Sequence, residues 1–249
     1  MKVLNFLSGV VCALFMTGVQ AADANKSVNK AASTEVSRIV LIGPPASGKG
    51  TQAKNISEKL SIPTISTGNL LRKAVKEGHP LAKTITDSMQ KGALVSNEIV
   101  LKLLRERLSE KDCAKGFILD GFPRSLEQAK YLSEAGIKID HVIDIRVSDD
   151  EVVSRISGRR VHTASGRSYH IRFNPPKKPG KDDITGEDLV IRDDDKPEII
   201  KKRLTGYRNN IDPVIGWYKN QKSTRYHEIN GNQSIAEVRS EIFKTLLRD

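Results

Sequence analysis

The run Ile39-Val40-Leu41-Ile42-Gly43-Pro44-Pro45-Ala46-Ser47-Gly48-Lys49-Gly50-Thr51-Gln52 constrains this chain more than any other part of it. Four apolar, mostly β-branched residues make a buried strand. A glycine-rich turn follows, then a lysine, then a stretch of helical character. This is the strand–loop–helix layout of a phosphate cradle. Backbone N–H groups of the loop and of the helix N-terminus point at one spot, where the helix dipole adds partial positive charge. Lys49 adds a full charge, and the Thr51 hydroxyl can reach a magnesium ion or a phosphate oxygen. A bare strand-to-helix turn would need neither residue.

The chain has 249 residues, enough for one large domain or one with insertions. Its 38% hydrophobic and 29% charged residues suit a soluble globular protein. The formal net charge of +11 points to a polyanionic partner: nucleic acid, an acidic membrane, or a phosphate-rich small molecule. The basic residues are spread along the chain, and aromatics are only 5%, which argues against base-stacking platforms. A phosphate-rich small ligand is the better reading, and no nucleic acid is expected as a partner.

The N-terminus is a separate object. Lys2 precedes a mostly apolar run from Val3 to Val19, and Val19-Gln20-Ala21 offers small residues for cleavage before Ala22. Residues 1–21 read as an export signal, which makes the protein periplasmic or secreted, with no stable membrane insertion after cleavage. The run is short for a membrane span. The alternative is an uncleaved extension, with initiation at Met16 for instance, and a cytoplasmic protein. Residues 22–36 are small and polar and read as a flexible linker. The two cysteines, Cys12 and Cys113, form no metal-ligand pattern; after cleavage only Cys113 remains and no internal disulfide can form.

From Ser37 onward strands and helices alternate, which points to a parallel sheet with helices on both faces. Strand 38–42 leads into helix 48–59, and a short strand follows near 63–65. Helices are expected at 67–77, 80–91 and 96–109, a strand at 116–120, a helix at 125–135 and a strand at 141–147. Ser148-Asp149-Asp150-Glu151 and Ser234-Ile235-Ala236-Glu237 both have the form of a capping box. Between Arg159 and Asp195 the periodicity breaks around Gly166, Pro175, Pro176, Pro179, Gly180 and Gly186. A structureless loop of that length is improbable, so a small β-rich insertion able to move as a lid is expected. A long helix resumes at Pro197, a residue suited to a first helical position.

Asp120-Gly121-Phe122-Pro123-Arg124 is the second constellation: a carboxylate ending a parallel strand is where a phosphate-loop protein holds magnesium through its water shell. Ser66-Thr67-Gly68-Asn69-Leu70-Leu71-Arg72 is the third. These segments, the loop at 43–51 and Gly158-Arg159-Arg160-Val161-His162 stand in the order and spacing of adenylate kinases, and the chain resembles that family from about residue 38 to about 245. Most other nucleoside monophosphate kinases have a short lid, whereas this stretch is similar to the long-lid type.

The resemblance implies a phosphate-loop α/β fold with a helical nucleoside monophosphate-binding insertion at 66–95 and a lid at 158–195, within a monomeric domain spanning 37–249. It implies that the loop Gly43, Ala46, Ser47, Gly48, Lys49, Gly50 and Thr51 wraps the ATP phosphates, helped by Arg155, Arg159, the Ser168-Tyr169 backbone and, at the adenine, the backbone near Gln233. Thr67, Arg72, the backbone of Ala93, Leu94 and Val95, the segment Gly121, Phe122, Pro123 and Arg124, and Gln128 would form the AMP site, with Arg192 and Arg203. Lys49, Asp120, Arg124, Arg159, Arg192 and Arg203 would carry the catalytic charge, with Asp194 and Asp195 near the lid hinge. Magnesium would come with ATP and be held through water near Asp120 and Thr51, with no direct protein ligand.

Zinc-bearing relatives place cysteines where His162, Ser165, Asp182 and Thr185 stand here, so no structural zinc is expected and a hydrogen-bonded polar cluster is, each bond worth about 1 kcal/mol. Two departures matter. Ala46 replaces the family's usual glycine, a strain of about 1 kcal/mol if the backbone there has positive φ. Asn69 replaces a common aspartate and could weaken the magnesium water network.

The implied reaction is reversible transfer of the terminal phosphoryl of MgATP to AMP, giving two ADP. Two nucleotides with about six negative charges between them must be brought in line, which calls for arginine donors rather than a general base. The alternatives are another nucleoside monophosphate kinase with a different acceptor base, GTP as donor, or an exported nucleotide-binding protein that has lost catalysis.

Overall fold

The computed structural model describes residues 37–247. The export signal and linker expected at 1–36 lie outside the described residues. Strand β1 (Ser37–Ile42) leads through the loop into helix α1 (Lys49–Leu60). Then follow β2 (Thr64–Ser66), α2 (Thr67–Lys76), α3 (Ala82–Gln90) and α4 (Asn97–Leu108). Next come β3 (Gly116–Asp120), α5 (Leu126–Glu134), β4 (His141–Arg146) and α6 (Asp149–Ser157). The insertion holds β5 (Arg159–Val161) and β6 (Ser168–His170), and the chain closes with α7 (Pro197–Lys219), β7 (Arg225–Asn230) and α8 (Ile235–Leu246).

Five strands form one parallel sheet in the order β2-β3-β1-β4-β7. Its central strands are apolar on both faces because helices cover both. Val40, Ile42, Phe117, Leu119 and Val142 face the side packed by α2, α4, α5 and α7. Ile39, Leu41, Ile118, Ile143 and Ile145 face the side packed by α1 and α8. A smaller cluster of Val152, Ile156, Ile200 and Leu204 joins α6 to α7.

The sequence reading placed no strand at 225–230. Only Ile229 of β7 is buried, as befits the sheet edge, so no apolar run marks it. Its Tyr226 hydroxyl reaches the buried Asp144 carboxylate of β4 at 2.6 Å. The two expected capping boxes part company. At Ser234 both halves form. At Ser148 the side chain caps nothing, and Glu151 instead accepts from Arg155 at 2.7 Å.

The 159–195 stretch is β-rich, as its broken periodicity suggested. β5 and β6 pair antiparallel, and single bridges join Val161 to Val190 and Lys181 to Asp188. Among the described residues no helix is long and apolar enough to cross a membrane.

Candidate active site

β1 leaves the sheet between β3 and β4, where the strand order reverses, and this is the crevice that ligands of open α/β sheets use. The loop that follows is tightly wound. A β-carbon on Gly43 would stand 2.5 Å from Ser47 Oγ and 2.6 Å from the Ile145 carbonyl, so only glycine fits. Ala46 has φ 56, so the anticipated strain is present. Its methyl packs against the α6–α7 cluster, which returns part of that cost. Lys49 Nζ donates to the carbonyls of Gly43 (2.8 Å) and Pro44 (2.7 Å) and to Ser47 Oγ (3.2 Å). Asp120 ends β3 beside Leu41 of β1, and its Oδ2 lies 3.7 Å from where a β-carbon on Gly50 would stand. Thr51 lies half-buried in the first turn of α1.

Cationic side chains from separate elements gather around this loop. Burial lowers the Lys49 pKa to about 8, and the charges of Arg124, Arg203 and Arg159 push the same way against Asp120. Arg72, on α2, falls to about 9 through burial and then the charges of Arg192, Arg203 and Arg159, with Asp194 opposing. Arg203, on α7, falls to about 10 for the same two reasons, with Arg192, Arg159 and Arg124 as its neighbours. Such mutual depression requires that these groups share one region.

The carboxylates present hold the arginines in place. Arg159 makes a two-pronged contact with Asp195, through Nε at 2.7 Å and through Nη2. Arg192 does the same with Asp194 at 2.8 and 2.6 Å. Arg203 reaches the Asp194 carbonyl and carboxylate, both at 3.0 Å. Burial opposes the charge on Asp194, but Arg192, Arg203 and Arg72 hold it well below the usual carboxylate range. Among the described residues Lys49, Arg72, Arg124, Arg159, Arg192 and Arg203 face Asp120, Asp194 and Asp195, a surplus of three positive charges.

Thr67, Gly121, Arg124 and Gln128 of the expected acceptor residues are joined by hydrogen bonds. Thr67 Oγ1 donates to the Gly121 carbonyl at 2.9 Å, and Arg124 Nε donates to the same carbonyl at 2.7 Å. Phe122 and Pro123, joined by a cis peptide, are buried behind them. The Gln128 amide is buried and hydrogen-bonded at both ends, to Arg124 N–H and to Asn97. Ala93 and Leu94 are exposed and Val95 is buried. Asn69 accepts from Arg72 at 2.6 Å.

Arg155 stands apart from the cationic group. Its guanidinium is taken by Glu151 and by the Gly231 carbonyl at 2.7 Å, which ties α6 to the turn that carries Gln233.

In the insertion, His162, Ser165, Asp182 and Thr185 do form a hydrogen-bonded cluster. His162 Nδ1 meets Ser165 Oγ at 2.7 Å, and Thr185 Oγ1 donates to Asp182 at 3.0 Å. Three members were missing from the sequence reading. Arg167 grips Asp182 with two bonds of 2.8 and 2.6 Å, the Tyr169 hydroxyl adds one of 2.9 Å, and Glu187 meets His162 Nε2. The Arg167 bonds first, then backbone amides and Tyr169, hold Asp182 far below the usual carboxylate range. At the tip of this turn a β-carbon on Gly166 would come within 2.9 Å of Asn69 Nδ2, so the insertion reaches over to α2.

Among the described residues no group of three or more His, Cys, Asp or Glu side chains could hold a metal ion. Magnesium that travels with a triphosphate asks for little more than one carboxylate and a hydroxyl beside the phosphates, and Asp120 with Thr51 supplies that donor set.

A glycine cradle at the switch point, ringed by unneutralised cations under a β-rich flap, defines a P-loop phosphotransferase acting on nucleotides. The family model described as adenylate kinase matches residues 41–223, and the chain belongs to that family. Members are nucleoside monophosphate kinases, and magnesium is their usual companion to the nucleotide. β7 and all of α8 lie beyond the matched span, and β7 completes the sheet.

Proposed function

We propose that the protein moves the terminal phosphoryl of MgATP to AMP, reversibly, giving two ADP. The observation that carries this reading is the surplus of cations on one crevice, drawn from six separate places in the chain. Two nucleotides meeting phosphate to phosphate supply the missing negative charge. The loop amides and Lys49 hold the donor phosphates, while Arg72 and Arg124 hold the acceptor phosphate. Arg159, Arg192 and Arg203, pre-set by Asp194 and Asp195, neutralise the group in flight. Bidentate guanidinium contacts also set the two oxygens in line, which is most of what phosphoryl transfer needs. Asp120 and Thr51 would hold magnesium through water, and the ion would supply charge neutralisation at the phosphates. No general base is required, because the acceptor oxygen is already ionised at neutral pH.

The contact of Gly166 with Asn69 supports a lid role for 158–195, which would keep water from the transferring group. Gln128 is the proposed reader of the acceptor base. A monomer exported through residues 1–21 is part of the same proposal, and a mature N-terminus at Met1 would refute the export. The test of function is a coupled assay of residues 22–249 with MgATP and each of AMP, CMP, UMP and GMP. ADP formed strongly with AMP alone supports the assignment. A stronger response to another acceptor, or silence with all four, overturns it.

A further inference from the structure

Gln128 and its neighbours form a chain of hydrogen bonds with a fixed direction. Arg124 N–H donates to Gln128 Oε1 at 2.7 Å, Gln128 Nε2 donates to Asn97 Oδ1 at 2.7 Å, and Asn97 Nδ2 donates to Glu127 Oε2 at 2.6 Å. A backbone N–H can only donate, and a carboxylate can only accept. The two ends therefore fix the orientation of both amides between them. Neither can turn over without setting donor against donor or acceptor against acceptor. Gln128 is 2% exposed, so a broken bond there is not made good by solvent.

That lock has a consequence for base choice. Adenine presents an acceptor at N1 beside a donor at N6. A 6-oxopurine presents the reverse, a donor at N1 beside an acceptor at O6. A carboxamide free to rotate serves either edge equally, by exchanging its oxygen and nitrogen. A carboxamide locked in one orientation serves only one of them. Gln128 retains one unused N–H and one unused lone pair for this purpose, since each end spends one on its protein partner.

We infer that Asn97 is a specificity-determining positioning residue: by holding the Gln128 amide in one orientation, it makes the acceptor site choose adenine over a 6-oxopurine. This rests on the proposed role of Gln128 as base reader. Asn97 touches no substrate in this account; it acts through Gln128, with Glu127 as the anchor that orients it. The same Gln128 oxygen is bonded to the backbone of Arg124, so the reader of the base and the clamp on the acceptor phosphate are joined by one bond.

The experiment compares kcat and KM for AMP, IMP and GMP in the full chain and its variants. Asn97→Ala removes the bond at the nitrogen end and leaves only the Arg124 N–H to orient the amide. Its AMP to IMP ratio of kcat/KM is expected to fall at least about tenfold, mainly through a raised KM for AMP, with kcat within about twofold. Asn97→Asp keeps an acceptor for Gln128 but sets a carboxylate against Glu127, and it should lose selectivity as well. Adding Glu127→Gln to Asn97→Asp restores a donor to that carboxylate and should recover the ratio, a rescue that general damage to the fold would not give. Gln128→Ala separates the two levels of the account. If Gln128→Ala erases purine discrimination while Asn97→Ala leaves it intact, the inference fails and the acceptor site stands. If Gln128→Ala leaves the AMP KM unchanged, the acceptor-site assignment fails and takes the inference with it.

Discussion

The ring of cations at the glycine loop and the polar cluster in the 162–187 turn use the same kinds of side chain to opposite ends. In the turn, Arg167 and His162 meet Asp182 and Glu187, and Asp182 is saturated by a guanidinium, two hydroxyls and two backbone amides. At the loop six cations face three carboxylates, and burial and crowding pull Lys49, Arg72 and Arg203 below their ordinary pKa values. A balanced cluster holds a fold together; an unbalanced one stores affinity for what is missing.

The widest gap between the two regions should appear in kinetics. Lys49→Met or Arg124→Ala is expected to lower kcat by roughly 10²–10³-fold. The ligand-free melting temperature should hold steady or rise, because removing one cation relieves repulsion among the rest. A large drop in melting temperature would mean that the ring is structural after all.

Asp182→Asn should show the reverse pattern. It takes the charge from the centre of the balanced cluster, and amides in 159–190 should exchange at least about tenfold faster while the sheet is unaffected. The sign with pH follows. Asp182 is held low in the folded protein, so its stabilisation is present above the ordinary carboxylate range and is lost as pH falls below about 4. The variant should flatten the acid limb of the stability curve.

Lys49 gives a finer probe of the unbalanced region. With a pKa near 8 it is half-protonated at pH 8, and bound polyphosphate raises that value. Nucleotide binding at pH 8 should take up about half a proton, read by calorimetry in two buffers of different ionisation enthalpy. Lys49→Met should abolish the uptake.

The smallest effect compares the two capping sequences. Ser234→Ala breaks a formed box and should cost about 1 kcal/mol, whereas Ser148→Ala should cost a few tenths at most.

Much of this was legible in the sequence because it is local. The strand, loop and lysine of 39–51 carry their own geometry, and the apolar runs of β1, β3 and β4 announce a sheet buried on both faces. β7 escaped because an edge strand need not be apolar: Arg225, Glu228 and Asn230 face solvent. The box at Ser148 was misread because Glu151 has a competing partner, Arg155, one helical turn further on. Arg167 and Glu187 join the turn cluster only through contacts that the chain makes when folded. Asn97 carried no reading of its own within the helix expected at 96–109, and its proposed role rests on Gln128, thirty-one positions away.

The central claim is that the cationic ring is completed by two nucleotides set phosphate to phosphate. Calorimetric titration with a single molecule that joins two adenosines through a polyphosphate chain tests it most directly. The account predicts tight one-to-one binding that Arg124→Ala and Arg159→Ala each weaken by about a hundredfold or more. Undiminished affinity in both variants would contradict it.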